Sequence, residues 1–265
     1  MTNSTTLKHS FAIQVRVIKA LILREIITRY GRHNIGFLWL FIEPMLLTLG
    51  VTVLWHYSFN GQGHGGSLSV VAFAVTGYSA IQLWRTTAGR CMNALQPNLS
   101  LLYHRNVGVL EVYLARIILE IAGATAAFVL MVIIFSLTEL MPLPVDLFQL
   151  VLGWVLLGWF GASLSLLIGS ATELSELVER IWHPISYLLF PLSGAMFLVD
   201  WLPTNVQSLA LWMPMISANE LIRAGYFGDA ITSHYDIPWL ISVNMFLTIS
   251  GLFLCRFVET RVEHE

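Results

Sequence analysis

Apolar residues run along this chain in long blocks, not in the one-face stripes or strict alternation of a water-soluble domain. A helix rises about 1.5 Å per residue, so about 20 apolar residues cover a hydrocarbon layer about 30 Å thick. Six blocks reach or approach that length, at about 36–57, 68–87, 116–137, 147–171, 182–200 and 237–257. Ahead of the first block the pattern changes. From Ile22 to Arg32 a helix would place Ile22, Leu23, Ile26, Ile27 and Tyr30 on one side and Arg24, Glu25, Thr28, Arg29 and Arg32 on the other. That predicts an amphipathic helix at the headgroups, entering the membrane at Gly31–Gly36. The faces separate less well upstream of Ile22, where a solvated basic tail is the alternative.

Two further stretches break the block pattern. Phe190–Ala230 is apolar but interrupted by Pro191, Pro203 and Pro214. Its pieces are too short to span, and irregular backbone at membrane depth survives only when it is buried in protein or lines a wet cavity. Two short helices are expected there, at about 204–213 and 215–227, forming a broken, re-entrant external hairpin within 201–230. The alternative is an ordinary external loop with one interfacial helix. The stretch 88–115 is long and moderately polar, with Pro97 closing one helical run and Asn98–Ser100 able to cap the next. A loop of this size in a compact membrane protein suits a docking surface. The Gly-rich loop Asn60–Ser67 carries a single His and reads as flexible.

Charge gives the blocks a direction. Thirteen of the fourteen Lys and Arg fall on one side of the six-span arrangement and only Arg223 on the other, so both termini are expected in the cytoplasm. The segments are then a cytoplasmic tail and interfacial helix (1–35), a membrane domain (36–257) and a cytoplasmic tail (258–265). Composition agrees: 56% hydrophobic residues, 11% charged residues and a mean hydropathy of +0.72, against about 25% charged in soluble domains. The interrupted N-terminal charges argue against a cleavable signal peptide. A net charge of −2 with no basic stripe argues against nucleic acid as a partner. Cys91 and Cys255 have no metal or disulfide spacing and read as free thiols.

Catalytic patterns are missing. There is no phosphate-binding G-x-x-x-x-G-K-[ST], and neither Lys8 nor Lys19 follows a glycine. There is no H-E-x-x-H and no G-x-S-x-G. His33, His56, His104 and His183 lie near span ends. Ionisable groups at membrane depth are costly and therefore informative. Glu43 lies inside the first block with Pro44 behind it, which suggests a kink that weakens the local helix. Glu43 reads either as a gate or hinge, together with Pro44, Arg29 and Arg32, or as a structural group paired with a nearby Arg. Glu220 and Arg223, three residues apart, either pair with each other or hold the external segment against another span. Gly161, Ser165 and Gly169 recur every four residues and allow a close helix approach, within the chain or between copies. Trp39, Trp55, Trp84, Trp182, Trp201 and Trp239 fall near block ends, where an interfacial belt is expected. Rings that point inward could stack on sugars, and Trp39, Trp201, Tyr226 and Phe227 are the candidates.

LILREIITRYGRHNIGFLWLFIEP (Leu21–Pro44), NLSLLYHRNVGVLEVYLARIILE (Asn98–Glu120), FPLSGAMFLVDWLP (Phe190–Pro203) and WMPMISANELIRAGYFGD (Trp212–Asp229) together carry a resemblance over nearly the whole chain. It resembles the membrane-spanning permease of ABC-type polysaccharide exporters, most closely the capsule polysaccharide export inner-membrane proteins of Gram-negative bacteria. The resemblance implies an all-α integral membrane protein with the type-two ABC exporter fold: six transmembrane helices, an N-terminal interfacial helix forming part of a gate, and an external segment closing the channel around Trp212, Pro214, Glu220 and Arg223. It implies a homodimer in the bacterial inner membrane with two ATP-binding subunits. The chain itself would be non-catalytic and without a cofactor, with ATP and Mg on the partner. A coupling helix would dock on that partner through Asn98, Leu101, Leu102, Tyr103, His104 and Arg105. A periplasmic co-polymerase and an outer-membrane polysaccharide export protein would continue the path of a lipid-linked polysaccharide. The same machine carrying O-antigen or a teichoic-acid-like polymer is the nearest alternative. A membrane-embedded transferase, a stand-alone channel and a secondary transporter are remote, since each needs ionisable clusters that this sequence lacks.

Overall fold

The computed structural model describes residues 7–30, 34–58, 68–99 and 107–262, without side chains for 7–10, 29–30, 34–37, 40, 44 and 262. Every regular element among them is helical. In chain order they are α1 (Leu7–Tyr30), α2 (Asn34–Ser58), α3 (Val70–Ile81), a π-helical turn (Gln82–Thr86) running into α4 (Thr87–Cys91), a 3₁₀ turn (Gln96–Asn98), α5 (Val109–Leu137), α6 (Leu147–Leu174) and α7 (Glu176–Leu189). Two 3₁₀ turns (Pro191–Ser193 and Val199–Trp201) lead to α8 (Thr204–Leu211), α9 (Pro214–Phe227), a last 3₁₀ turn (Gly228–Ala230) and α10 (Ile237–Val262).

Three helices among the described residues, Val109–Leu137, Leu147–Leu174 and Ile237–Arg261, are long and apolar enough to cross a membrane. Five of the six expected blocks lie within continuous helical stretches, apart from residues 68–69 ahead of α3, and α5 starts ahead of the block it contains. The fifth does not. Helix α7 stops at Leu189 before Pro191 and carries Pro184 inside it, so it measures about 21 Å and the expected span 182–200 is not one helix. At the other end of the chain, α1 extends upstream to Leu7, so the region ahead of Ile22 is helical too.

Helix α6 is the hub, packed against α10, α9 and α4. Its small residues make this possible. A side chain at Gly161 would come within 3.0 Å of the Trp84 Cα, and one at Gly169 within 2.7 Å of the Tyr113 ring. The Gly161–Ser165–Gly169 face is therefore filled from within the chain. Trp84 and Trp182, expected in an interfacial belt, are buried; Trp84 packs edge-on to Phe160. Helix α10 is held to α6 by a polar zipper that suits a site without water. Asn244 donates to the Leu156 carbonyl (3.0 Å), Trp159 Nε1 donates to Thr248 Oγ1 (3.0 Å), and Ser163 meets the same hydroxyl (3.0 Å). Outward, α10 shows Phe246, Ile249 and Phe253, and α5 shows Ile133 and Leu137.

The apolar core falls into two clusters. The larger joins α3, the π-helical turn, α6 and α9 through Phe73, Trp84, Leu157, Leu221 and Ile222. The smaller gathers Leu21 of α1, Leu95, Val109 and Tyr113, and Cys255 and Val258 of α10. They mark two ends of the bundle, called here the α9 end and the basic end.

Candidate functional site

At the α9 end one side chain organises a whole segment. Pro214 opens α9 at its first turn, where a missing N–H costs nothing. Gly225 then lets α9 lie against the start of α6, since a Cβ there would sit 2.3 Å from the Leu150 nitrogen. Every residue from Met215 to Phe227 is buried. Arg223, 0% exposed, donates to three main-chain carbonyls: Gly194 (2.6 Å), Ala195 (2.6 Å) and Phe197 (2.7 Å). Its guanidinium lies 3.7 Å over the Phe73 ring. Gly77 leaves the room for this, because a Cβ there would meet the Ala195 oxygen at 2.5 Å and Arg223 Nη2 at 2.8 Å. Glu220 accepts from the main-chain N–H of Val199 (3.0 Å) and His234 (3.1 Å). The two charged residues thus bind different stretches of backbone. Together they fasten the 194–199 stretch and the backbone at His234 to α9, and Arg223 also reaches Phe73 of α3.

An aromatic row starts at this clamp. Trp201 stacks on Phe73 (5.3 Å between centroids), Phe73 on Trp55 (6.2 Å), Trp55 meets Tyr78 edge-on (5.8 Å), and Tyr78 meets Phe190 (5.6 Å). Arg85 of the π-helical turn closes the row, 4.5 Å over Tyr187 and 5.9 Å over Phe190. The row draws on α2, α3, α7 and the turn before α8. Tyr187 is 68% exposed and Trp201 40%, so rings at both ends keep surface that a polymer could touch.

At the basic end, polar side chains join four elements. Arg116 of α5 donates to Glu25 Oε1 of α1 at 2.9 Å, and Asn98 Nδ2 donates to the same oxygen at 3.3 Å. Arg24 donates to Asn98 Oδ1 and, at 3.0 Å, to the Pro97 carbonyl. On the other side of the 92–98 turn, Thr172 of α6 donates to the Met92 carbonyl (3.2 Å) and Asn93 to Glu179 of α7 (3.4 Å). Nearby, Arg90 of α4 forms an ion pair with Glu43 of α2, both side chains about two-fifths exposed.

These positions revise several expectations. Helix α2 is continuous through position 44, and Glu43 has an arginine partner in Arg90, as the structural reading of Glu43 expected. Glu25, placed on the solvent face of α1, is 8% exposed and turned into the protein, while Leu23 (61%) and Ile27 (54%) face outward. Pairing with a cation and an amide makes burial of a carboxylate tolerable, and an apolar face can stay outward where lipid covers it. Asn98, expected to dock on a partner, is 3% exposed and faces α1. Tyr226 and Phe227 are core residues, Tyr226 donating to the Pro142 carbonyl and packing edge-on to Phe227; neither offers a ring face to a polymer. Trp39 is 51% exposed. Trp212 is exposed, edge-on to Trp239 at 5.3 Å. The side chains of Arg29 and Pro44, and residues Arg32, Leu101, Leu102, Tyr103, His104 and Arg105, lie outside the described residues. Sequence reasoning did not single out Arg85, Arg116 or Phe73 as site residues. Arg85 and Arg116 had a signal, as arginines at the edges of apolar blocks; Phe73, inside a block of like residues, had none. Among the described residues no group of three or more His, Cys, Asp or Glu could hold a metal ion.

Among the described residues every regular element is helical and three helices are long and apolar enough to cross a membrane, with a buried, proline-broken segment ahead of the last. The family model for ABC-2 type transporters matches residues 16–227, and the chain belongs to that family. It is 41% identical to the capsule polysaccharide export inner-membrane protein BexB of Haemophilus influenzae, over 98% of both chains. It is 45% identical to the capsule polysaccharide export inner-membrane protein CtrC of Neisseria meningitidis serogroup B, again over 98% of both. The polysialic acid transport protein KpsM of Escherichia coli is 25% identical over 95% of this chain and 97% of its own.

Proposed function

We propose that this chain is the permease subunit of an ATP-driven exporter that carries lipid-linked capsular polysaccharide across the bacterial inner membrane. The observation that carries the reading is full-length likeness to two capsule export proteins above 40% identity, in a chain whose aromatic row offers rings of the kind that pack on sugar C–H faces. A hydrated polymer cannot enter about 30 Å of hydrocarbon unaided, and this sequence has no nucleotide-binding motif of its own. ATP and Mg therefore belong to a partner subunit, two copies of which serve two copies of this chain. The basic end faces the cytoplasm with both termini, following the distribution of Lys and Arg. Six crossings are then completed by α2, by α3 with α4, and by α7 with the turns that follow it. Helices α8 and α9 form the external, re-entrant closure. Glu43 and Arg90, joining α2 to α4 across a half-exposed surface, are gate candidates. A periplasmic co-polymerase and an outer-membrane export protein take the polymer onward.

The test is biochemical. The tagged chain, expressed with the ATP-binding subunit encoded beside it, should co-purify as a complex of two copies each. In inverted vesicles it should move lipid-linked polysaccharide into the lumen only with hydrolysable ATP. Purification as a lone chain, or polymer uptake without ATP, would reject the reading.

A further inference from the structure

The 92–98 turn stands where four elements meet, and Asn98, 3% exposed, is its buried polar residue. Its amide orientation is set by its surroundings. Nδ2 faces two acceptors, the Ala94 carbonyl at 2.8 Å and Glu25 Oε1 at 3.3 Å, while Oδ1 accepts from Arg24. Turning the amide over would set oxygen against both acceptors and NH₂ against a guanidinium, so only one orientation satisfies all the groups. No other neutral side chain of this length both donates to a carboxylate and accepts from a cation in one plane. Asn98 thereby joins two consecutive residues of α1, Arg24 and Glu25, to the turn, and Glu25 passes the link to Arg116 of α5. In sequence the turn leads toward Leu101–Arg105, the residues that the resemblance to polysaccharide-export permeases assigns to docking on the ATP-binding subunit.

We propose that Asn98 is a positioning residue that ties the start of the partner-docking loop to the N-terminal helix, so that a displacement of the loop moves α1 with it. The inference rests on the functional reading above and adds a route: from the loop to α1 through one amide, without passage through the membrane core. Asn98 is 3% exposed and its amide is engaged within the chain. This separates it from loop residues that dock on the ATPase, whose loss would weaken assembly.

The experiment exchanges acid and amide. In Asn98→Asp a second carboxylate faces Glu25 where an N–H had donated. In the double variant Asn98→Asp with Glu25→Gln the groups are transposed, with the same net charge and a donor restored between the two positions. Each is made in the full chain, co-expressed with the ATP-binding subunit, and scored for co-purification, ATP hydrolysis by the complex and surface polysaccharide. Asn98→Asp should lower surface polymer at least about tenfold while complex yield and hydrolysis stay within about twofold, and the double variant should recover at least about half of the export. Normal export by Asn98→Asp overturns the proposal. So does a parallel loss of complex and hydrolysis, which would mark a merely structural group, and so does a double variant no better than the single one. A wild-type chain that neither binds the ATPase nor exports polymer overturns the functional reading, and the inference with it.

Discussion

Arg223 and Glu25 are both buried charges, but their partners are of different kinds. Arg223 meets three carbonyls of one backbone turn and the face of Phe73. Glu25 meets the side chains of Arg116 and Asn98, on two different elements. Main-chain acceptors in a tight turn cannot rearrange without unfolding the turn, whereas side-chain partners on separate helices can part and re-form. Their surroundings differ in the same sense: α9 is buried on all sides, while α1 keeps Leu23 and Ile27 exposed on its outer face. In these terms the α9 end is a fixed frame and the basic end a set of linked, separable parts. That is the division of labour expected under the proposed function, in which energy enters at the basic end only.

The comparison is broken most severely at Arg223. Arg223→Met leaves three carbonyls without their donor in a site closed to water, and should cost at least about 3 kcal/mol, read as a large fall in the melting temperature of the detergent-purified protein. An unchanged melting temperature would mean that the clamp holds nothing. Gly225→Ala comes next. Its new Cβ would lie 2.3 Å from the Leu150 nitrogen, forcing α9 off α6 at a cost of about 1–3 kcal/mol. Gly50→Ala, with nothing within 4 Å of the added carbon, is the control and should melt like wild type or slightly higher. At the basic end Glu25→Gln should cost about 1–2 kcal/mol, and site-specific labels should show α1 loosening while α9 stays protected from hydrogen exchange. Glu43→Ala should have the smallest effect on folding, below about 1 kcal/mol, because the pair with Arg90 is half-exposed. As a gate candidate it should still lower export severalfold at normal membrane levels; full export would remove it from the gate.

Block length and proline position made most helices legible. The two short helices expected at 204–213 and 215–227 correspond to Thr204–Leu211 and Pro214–Phe227, because Pro203 and Pro214 both end one run and open the next. The fifth block misled for the converse reason: Leu188–Val199 is apolar apart from Ser193, and hydropathy does not register that Pro191 and Gly194, with φ +78°, turn the chain there. Side-chain direction was the least legible. A helical wheel assumes that charge faces water, which placed Glu25 outward. Burial of Glu25 depends on Arg116, ninety-one residues away, and no local pattern contains that. The same limit applies to Tyr226 and Phe227: aromatic character marked them as sugar contacts, but the approach of α9 to α6 at Gly225 made them core.

The most direct test of the central claim is to delete the gene in its host and locate the polysaccharide. The account predicts lipid-linked polymer accumulating in the cytoplasm beneath a bare surface, with the coat restored by the wild-type chain. A normal surface coat in the deletion strain, with no polymer inside, would contradict it.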